Sequence, residues 1–234
     1  MDHLNAVGRS VLRPDGLAKV TGVAQYLDDL PELGCFHGTT LRSPHPSASI
    51  ASIDLSAVND PEVKVLTAKD VGHRNSVHLI HDDWPILADR RVNHVGEPVA
   101  LITAPTLARA RAAASAVMVT YQVETPVLSL DDALRGDPRT SGALNLLAKC
   151  DIERGDVDLG FAAADLIVEG EYSTGHQEHA YLEPHGVIAT PTLGPDSVFT
   201  GVDIVGSLQC PYYVHKALAY TSTWATRLSA FANR

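Results

Sequence analysis

The chain has 234 residues, of which 45% are hydrophobic, and a formal net charge of −10 at pH 7. Acidic and basic residues are interleaved along the chain, so no basic stripe is available to bind nucleic acid. The longest apolar runs are far shorter than the roughly 20 residues that a membrane helix needs. The start, Met1-Asp2-His3, lacks the basic and apolar pattern of a signal peptide, and we therefore expect a cytoplasmic protein that does not contact a membrane.

In the first half, short strands and one helix alternate. Period-two patterning and β-rich composition predict strands over residues 34–41, 48–55, 62–66 and 97–104, the last apolar enough to be buried on both faces. Thr106 is a good N-cap for the alanine-rich segment "LARARAAASA", in which we expect Arg109 and Arg111 to face water. A further strand over residues 117–124 completes a strand–helix–strand unit.

The second half begins after a polar, irregular stretch, within which "RGDPRTSGA" (135–143) is the best candidate for a domain boundary. Asp156 can cap a short helix, and a strand is expected over residues 166–172. Pro211 is suited to the first position of a helix, whereas residues 221–234 show no closing strand. These patterns predict an α+β protein with a domain at 1–134, a linker at 135–153 and a second domain at 154–234.

Three cysteines, Cys35, Cys150 and Cys210, are odd in number and far apart. Their spacing favours neither a disulfide framework nor a zinc or iron–sulfur site. We expect each to be a small buried hydrophobic residue.

The most polar candidate site is "TGHQEHAYLEPHGVIATP" (174–191), which contains His176, His179 and His185. Zinc is one interpretation. The proline, glycine and β-branched residues that follow favour extended chain, however, in which residues three apart point to opposite faces. We therefore favour a hydrogen-bonded polar core or a cleft lining over a metal site.

Two carboxylates, Glu97 and Glu183, lie in apolar surroundings in the sequence. A buried carboxylate must either be paired or have a raised pKa, and structural pairing is the more common outcome. The chain contains neither a GxSxG motif nor a glycine-rich phosphate loop, which gives no support to a serine hydrolase or a nucleotide-binding protein.

Several blocks in the first half carry a family resemblance: "GLAKVTGVAQYLDDL" (16–30), "LRSPHPSASIASIDLSAV" (41–58) and the stretch from "ILADRRVNHVGEPVALITA" to "LSLDDAL" (86–134). Together they resemble the α/β hammerhead domain of the xanthine dehydrogenase and aldehyde oxidase family. The later blocks "RGDVDLGFAAADLIVEGEY", "GHQEHAYLEPHGVIATP" and "GSLQCPYYVHKALA" resemble the start of the family's molybdopterin-binding domain. The resemblance thus implies a hammerhead domain followed by the incomplete start of a molybdopterin-binding domain.

The resemblance also assigns candidate site residues. The block "QEHAYLEP" lies near the cofactor end of the family's fold, which implies that Gln177, Glu178, His179 and Glu183 brace the site rather than bind a metal. Gln209 stands in "SLQ", where the family usually reads "STQ", and implies a side-chain amide hydrogen-bonded to the apical oxygen of molybdenum. The resemblance places no metal ligand and no catalytic residue in this chain.

The sequence also departs from the family. Members continue into a "GGGFGGK"-like loop and, in many cases, a glutamate that acts as a base; this chain has neither, and it diverges after Ala219. We therefore expect the remainder of the molybdenum domain, the iron–sulfur clusters and the FAD on partner chains. By itself the chain is expected to be inactive and to hold no stoichiometric molybdenum.

The resemblance implies the N-terminal portion of a molybdenum hydroxylase large subunit, which in the complete enzyme hydroxylates a small-molecule substrate, an N-heterocycle or an aldehyde. A non-catalytic hammerhead module for docking or assembly, or an inactive truncated relic, is the alternative. A zinc hydrolase that uses the histidines is a distant third interpretation.

Limited proteolysis tests the predicted boundary. We expect the first cut within residues 135–143 and release of a folded N-terminal piece, because breaker-rich segments between patterned regions are exposed. The strand–helix–strand unit at 97–124 should be among the most protected parts of the chain. Mass spectrometry of the fragments locates the cuts, and rapid cleavage inside 97–124 would contradict the predicted domain.

Overall fold

The structure is a computed structural model that describes residues 7–30, 34–72, 74–79, 81–135, 148–181, 183–221 and 225–230. Its contacts divide the chain into two compact units: Met1–Pro126 with Glu183–Arg234, and Val127–Leu182. The predicted division into 1–134, 135–153 and 154–234 follows different bounds and stays a prediction. Within the predicted linker, residues 136–147 lie outside the described residues.

The first part of the chain contains two helices and six strands among its described residues. In chain order they are α1 (Gly16–Val20), a 3-10 turn (Leu27–Asp29), β1 (His37–Arg42), β2 (Ala48–Asp54), β3 (Lys64–Thr67), β4 (Arg91–Val92), β5 (Pro98–Ala104), α2 (Leu107–Ala116) and β6 (Met118–Val123). The predicted strands and the helix are confirmed, with ends that shift by at most three residues. Thr106 caps α2 as predicted, because its hydroxyl accepts a hydrogen bond from the Arg109 N–H at 3.3 Å.

These strands form two three-stranded antiparallel sheets. β5 is the central strand between β1 and β3, and β2 is the central strand between β4 and β6. The side chains of β5 alternate between two apolar clusters. Val99 packs in one cluster, with Ala48, Ala88 and Val92. Ala100, Ile102 and Ala104 pack in the other, with Val63, Ala110 and Ala113. The face with Ala100, Ile102 and Ala104 is buried, whereas on the other face only Val99 is buried and Leu101 is 36% exposed. The prediction that β5 is buried on both faces was therefore wrong for the middle of the strand, where no element covers the second face among the residues that the structure describes.

Helix α2 is also held by charge. The Arg109 guanidinium donates hydrogen bonds to Asp60 at 2.7 Å and to Glu62 at 2.9 Å, which ties the helix to the segment before β3. The prediction that Arg109 simply faces water was wrong, because the two carboxylates are distant in sequence and only the fold brings them to the helix. Arg111 is exposed as expected.

The Val127–Leu182 unit contains two short helices in its described part, α3 (Leu130–Leu134) and α4 (Val157–Ala162). Asp156 caps α4, since its carboxylate accepts a hydrogen bond from the Leu159 N–H at 3.0 Å, which confirms the predicted cap. The predicted strand at 166–172 was wrong. Leu166 and Val168 are 79% and 81% exposed, and no strand among the unit's described residues pairs with this run. A β-rich sequence forms a strand only where another strand completes its hydrogen bonds.

The remaining elements of the first unit are β7 (Val187–Leu193), a 3-10 turn (Pro195–Ser197), β8 (Phe199–Gly206), α5 (Pro211–Thr221) and β9 (Ala225–Ala230). β8 is the central strand, antiparallel to β7 and parallel to β9. The helix beginning at Pro211 is confirmed. The expectation of no closing strand was wrong, because β9 pairs with β8 across a helical connection, a non-local partner that the local pattern does not reveal.

The exposure of the cysteines and the character of the helices also bear on the sequence predictions. Cys150 and Cys210 are exposed and Cys35 is half-buried, so the prediction of three buried cysteines was wrong. No helix in the described part of the chain combines the length and apolar character needed to cross a bilayer.

Glu97 offers a test of the predicted carboxylate pairing. The residue is only 4% exposed, and its carboxylate accepts a hydrogen bond from the Asn93 N–H. We expect Glu97→Ala to lower the free energy of unfolding by about 1–3 kcal/mol, because the Asn93 N–H loses its acceptor inside the protein. Glu97→Gln keeps an acceptor and should cost less. Urea unfolding measures both, with Glu153→Ala as the control at an exposed carboxylate; equal losses at positions 97 and 153 would contradict the structural role.

The ion pair of α2 predicts a pH dependence. Hydrogen bonds from Arg109 hold the pKa of the Asp60 carboxyl below its ordinary value. The pair therefore stabilises the fold fully above that ordinary value, about 4, and the contribution is lost as pH falls through the lowered pKa. We expect Arg109→Ala to unfold at a lower urea concentration than the native chain near pH 7, and the difference to shrink as the pH falls below the ordinary aspartate pKa of about 4.

The control for this experiment is Arg111→Ala, which removes an exposed arginine from the same helix. Its effect on the urea midpoint should be small at neutral and at acidic pH. A loss in Arg109→Ala that stays the same from neutral to acidic pH would show that the helix is not held by this ion pair.

Candidate functional site

Gln209 lies in the connection between β8 and α5, and we call residues Ser207–Cys210 the Gln209 loop. The side chain of Gln209 is exposed. Both ends of the loop are held by backbone hydrogen bonds: the Ser207 N–H donates to the Gly186 carbonyl at 3.1 Å, and the Cys210 carbonyl accepts from the Tyr213 N–H at 3.1 Å. The structure thus presents a neutral amide to solvent from a loop that is fixed at both ends.

A cavity of about 230 Å³ lies beside the start of this loop. Its polar or charged wall residues are Asp15, Lys19, Gln25, Tyr26, Glu183 and Ser207. Three parts of the chain that are distant in sequence therefore meet here: the segment around α1, the residues before β7 and the end of β8.

Glu183 is half-buried at this cavity, and its carboxylate accepts a hydrogen bond from the Leu27 backbone N–H at 3.4 Å. The expectation that Glu183 is structurally paired is confirmed. The donor is the backbone N–H of Leu27, in the 3-10 turn at Leu27–Asp29. The sequence pattern did not identify this donor.

Asp15 is the second carboxylate on the cavity wall. It lies 2.5 Å from the Arg13 guanidinium and 3.3 Å from the Lys19 ammonium. The hydrogen bond from Arg13 lowers the pKa of Asp15 to about 2. Asp15 therefore remains ionised at neutral pH, and its charge is compensated by two neighbouring cations.

Two glycines allow the chain to come close together next to the Gln209 loop. A Cβ atom on Gly206 would lie 2.6 Å from the Gly186 carbonyl oxygen, and a Cβ atom on Gly186 would lie 2.5 Å from Leu27 Cδ2. Sequence reasoning missed Gly186, Gly206 and Leu27. The signal that could have revealed the glycines is their position at strand ends, where glycine often marks a close backbone approach.

Gln177, Glu178 and His179 belong to the Val127–Leu182 unit and are exposed there. The Glu178 carboxylate accepts hydrogen bonds from the N–H groups of His179 at 2.9 Å and Ala180 at 3.4 Å, and Ala180 has a φ of 49°. Glu178 therefore supports a local turn. The predicted role of these three residues in bracing a cofactor stays a prediction.

The three histidines of this region, His176, His179 and His185, are exposed. Across the described ranges, no three His, Cys, Asp or Glu side chains lie close enough together to hold a metal ion.

Two family models match this chain in succession. Residues 21–125 match the model described as aldehyde oxidase and xanthine dehydrogenase, a/b hammerhead domain. Residues 140–226 match the molybdopterin cofactor-binding domain, a range that includes Glu183 and the Gln209 loop. The succession of the two matches agrees with the order of the sequence blocks.

Curated relatives agree with these models. The chain is 36% identical over 185 residues to a probable xanthine dehydrogenase subunit of Bacillus subtilis, a match that covers 78% of this chain and 25% of the relative. It is 30% identical over 210 residues to the nicotinate dehydrogenase large molybdopterin subunit of Eubacterium barkeri, covering 88% of this chain and 48% of the relative. The chain thus spans about a quarter to a half of the length of these relatives.

Solved structures share the fold. Quinoline 2-oxidoreductase of Pseudomonas putida 86 superposes with a TM-score of 0.77 at 26% identity, over 95% of this chain and 30% of that chain. The aldehyde oxidoreductase of Desulfovibrio gigas gives a TM-score of 0.72 at 28% identity, over 93% of this chain and 26% of that chain. The chain therefore belongs to the xanthine dehydrogenase and aldehyde oxidase family, of which it carries the α/β hammerhead domain and a segment of the molybdopterin cofactor-binding domain.

Proposed function

We propose that this chain acts within the large subunit of a cytoplasmic molybdenum hydroxylase, which oxidatively hydroxylates an N-heterocycle or an aldehyde. The observation that carries the proposal is the position of Gln209: an exposed amide in a fixed loop, inside the segment that matches the molybdopterin cofactor-binding domain. The names of the relatives, which include xanthine, nicotinate, quinoline and aldehyde enzymes, support this substrate class.

The donor set of the Gln209 loop fits the molybdenum cofactor in its chemistry. An oxygen ligand of a metal accepts hydrogen bonds, and a glutamine amide supplies an N–H donor without adding a charge. Glu183 already accepts the Leu27 N–H, which suits a bracing residue rather than a metal ligand. When bound, the cofactor supplies the oxidation–reduction chemistry, with iron–sulfur clusters and FAD on partner chains.

The residues of this chain then have separate tasks. Gln209 orients the cofactor through its amide, and Glu183 holds the Leu27 backbone next to the loop. Gln177, Glu178 and His179 are proposed to brace the same site. The base that many family members use is proposed to come from the remainder of the molybdenum domain.

A second candidate function is assembly without catalysis. It is favoured by the apolar residues that the Val127–Leu182 unit exposes, among which Ile152 and Tyr172 are 90% and 92% exposed. Where exposed apolar side chains form one continuous patch, they typically mark a protein interface. Molybdenum that co-purifies with the chain favours the first function, whereas co-purifying partner subunits without molybdenum favour the second.

Gln209→Ala tests the proposed function in protein purified from the native cells. A hydrogen bond to a charged group contributes roughly 1.5–3 kcal/mol, so we expect molybdenum content or turnover to fall by about tenfold to a hundredfold. Elemental analysis and dye reduction with an N-heterocycle or an aldehyde measure the two effects. Gln122→Ala, which removes an exposed glutamine from β6, is the matched control. Unchanged molybdenum content and turnover in Gln209→Ala would remove Gln209 from the site.

A further inference from the structure

Leu27 contacts the residues before β7 in two ways. Its backbone N–H donates to the Glu183 carboxylate at 3.4 Å. Its side chain lies over Gly186 so closely that a Cβ atom on the glycine would be 2.5 Å from Leu27 Cδ2. A contact shorter than 3 Å between carbon atoms is repulsive, so a Cβ atom at position 186 would displace the end of the Leu27 side chain, and glycine there lets Leu27 keep its present packing.

Gly186 in turn holds the Gln209 loop. Its carbonyl accepts the Ser207 N–H at 3.1 Å. The same carbonyl oxygen lies 2.6 Å from the position that a Cβ atom on Gly206 would occupy, so a side chain at position 206 would collide with it. Ser207 is two residues before Gln209, so this hydrogen bond connects Gly186 to the loop that carries the amide.

The turn that carries Leu27 is well defined by its own hydrogen bonds. The Tyr26 N–H donates to the Asp29 carboxylate at 2.8 Å, and the Asp29 N–H donates to the Tyr26 carbonyl at 3.0 Å. The Leu30 N–H donates to the Leu27 carbonyl at 3.1 Å. This reciprocal capping limits the movement of Leu27, so the turn can serve as a fixed support.

We propose that Leu27 is a positioning residue for Gln209. Packed on Gly186, Leu27 fixes the carbonyl that holds Ser207, and through it the position of the Gln209 amide. The inference rests on the proposed function, in which that amide contacts the cofactor. It gives the residues before β1 a role in the cofactor site that neither family match assigns to them.

The test uses Gly186→Ala, Leu27→Ala and the double variant, each in protein purified from the native cells. Gly186→Ala adds a methyl group where Leu27 Cδ2 lies and displaces that side chain, and Leu27→Ala removes it. Both changes break the same contact, so each should show the same loss, and the double variant should lose no more than either single variant. Gly160→Ala is the matched glycine control, because a Cβ atom there has no atom within 4 Å. Leu17→Ala is the leucine control, at a side chain that is 73% exposed.

Hydrogen exchange at Ser207 reports the position of the loop independently of the cofactor. We expect faster exchange of the Ser207 N–H in Gly186→Ala and in Leu27→Ala, and a rate in the double variant that is no faster than in either single variant. We further expect molybdenum content or kcat to fall about tenfold in Gly186→Ala with KM unchanged, and no additional fall when Gln209→Ala is added. Both controls should match the native protein in every measurement.

Three results would overturn the inference. In the first, Gly186→Ala keeps native molybdenum content and kcat although the native protein contains molybdenum. In the second, the losses of Gly186→Ala and Gln209→Ala add, which would mean that they act separately. In the third, Gly186→Ala unfolds more easily but its folded fraction keeps native kcat and Ser207 exchange, which would make Leu27 a packing residue only. Native protein without molybdenum would instead overturn the proposed function, and the positioning role with it.

Discussion

Burial of one face of β5, together with Val99 at the start of the other face, is the constraint on which the hammerhead part of the structure depends. Val99 and Ile102 are fully buried on opposite faces of this strand, and complete burial of such side chains stabilises a fold by about 1.5–3 kcal/mol each. On one face, Ala100 and Ala104 lie against Ala110 and Ala113 of α2. Small side chains on both elements let the helix approach the sheet closely, and Arg109 then reaches Asp60. The helix position therefore follows from the strand.

Most of this arrangement could be predicted because its signals are local. A continuous apolar run identifies β5, and period-two alternation identifies its neighbours. Side chains that cap helix starts, such as those of Thr106 and Asp156, act within three residues of themselves. The errors occurred where structure depends on distant partners. The run at 166–172 has strand-like composition but no partner strand in the described part of its unit, and β9 was overlooked although β8 supplies its hydrogen bonds.

In the candidate site, too, local features could be predicted from the sequence, whereas contacts between distant residues could not. Gln209 could be proposed from the sequence only through the resemblance of its "SLQ" block to the family's pattern, since one glutamine carries no chemical signature. The pairing of Glu183 was expected on physical grounds, because a carboxylate in apolar surroundings needs a donor. Its partner, Leu27, is 156 positions away and contributes a backbone N–H, which every non-proline residue possesses. No sequence pattern selects one such donor, so the support of the loop required the structure.

The cavity beside the Gln209 loop has two carboxylates, Asp15 and Glu183, on its wall. Two uncompensated carboxylates on the cavity wall would repel an anion, and the repulsion would be strong where water is partly excluded. Asp15 is held between Arg13 and Lys19, and Glu183 accepts a backbone N–H. Both carboxylates are therefore engaged by donors within the chain, which reduces their repulsion of an anionic group. Under the proposed function, the residues around α1 thus assist the site in two physical ways: they compensate a carboxylate on the wall, and through Leu27 they support the loop that presents the amide.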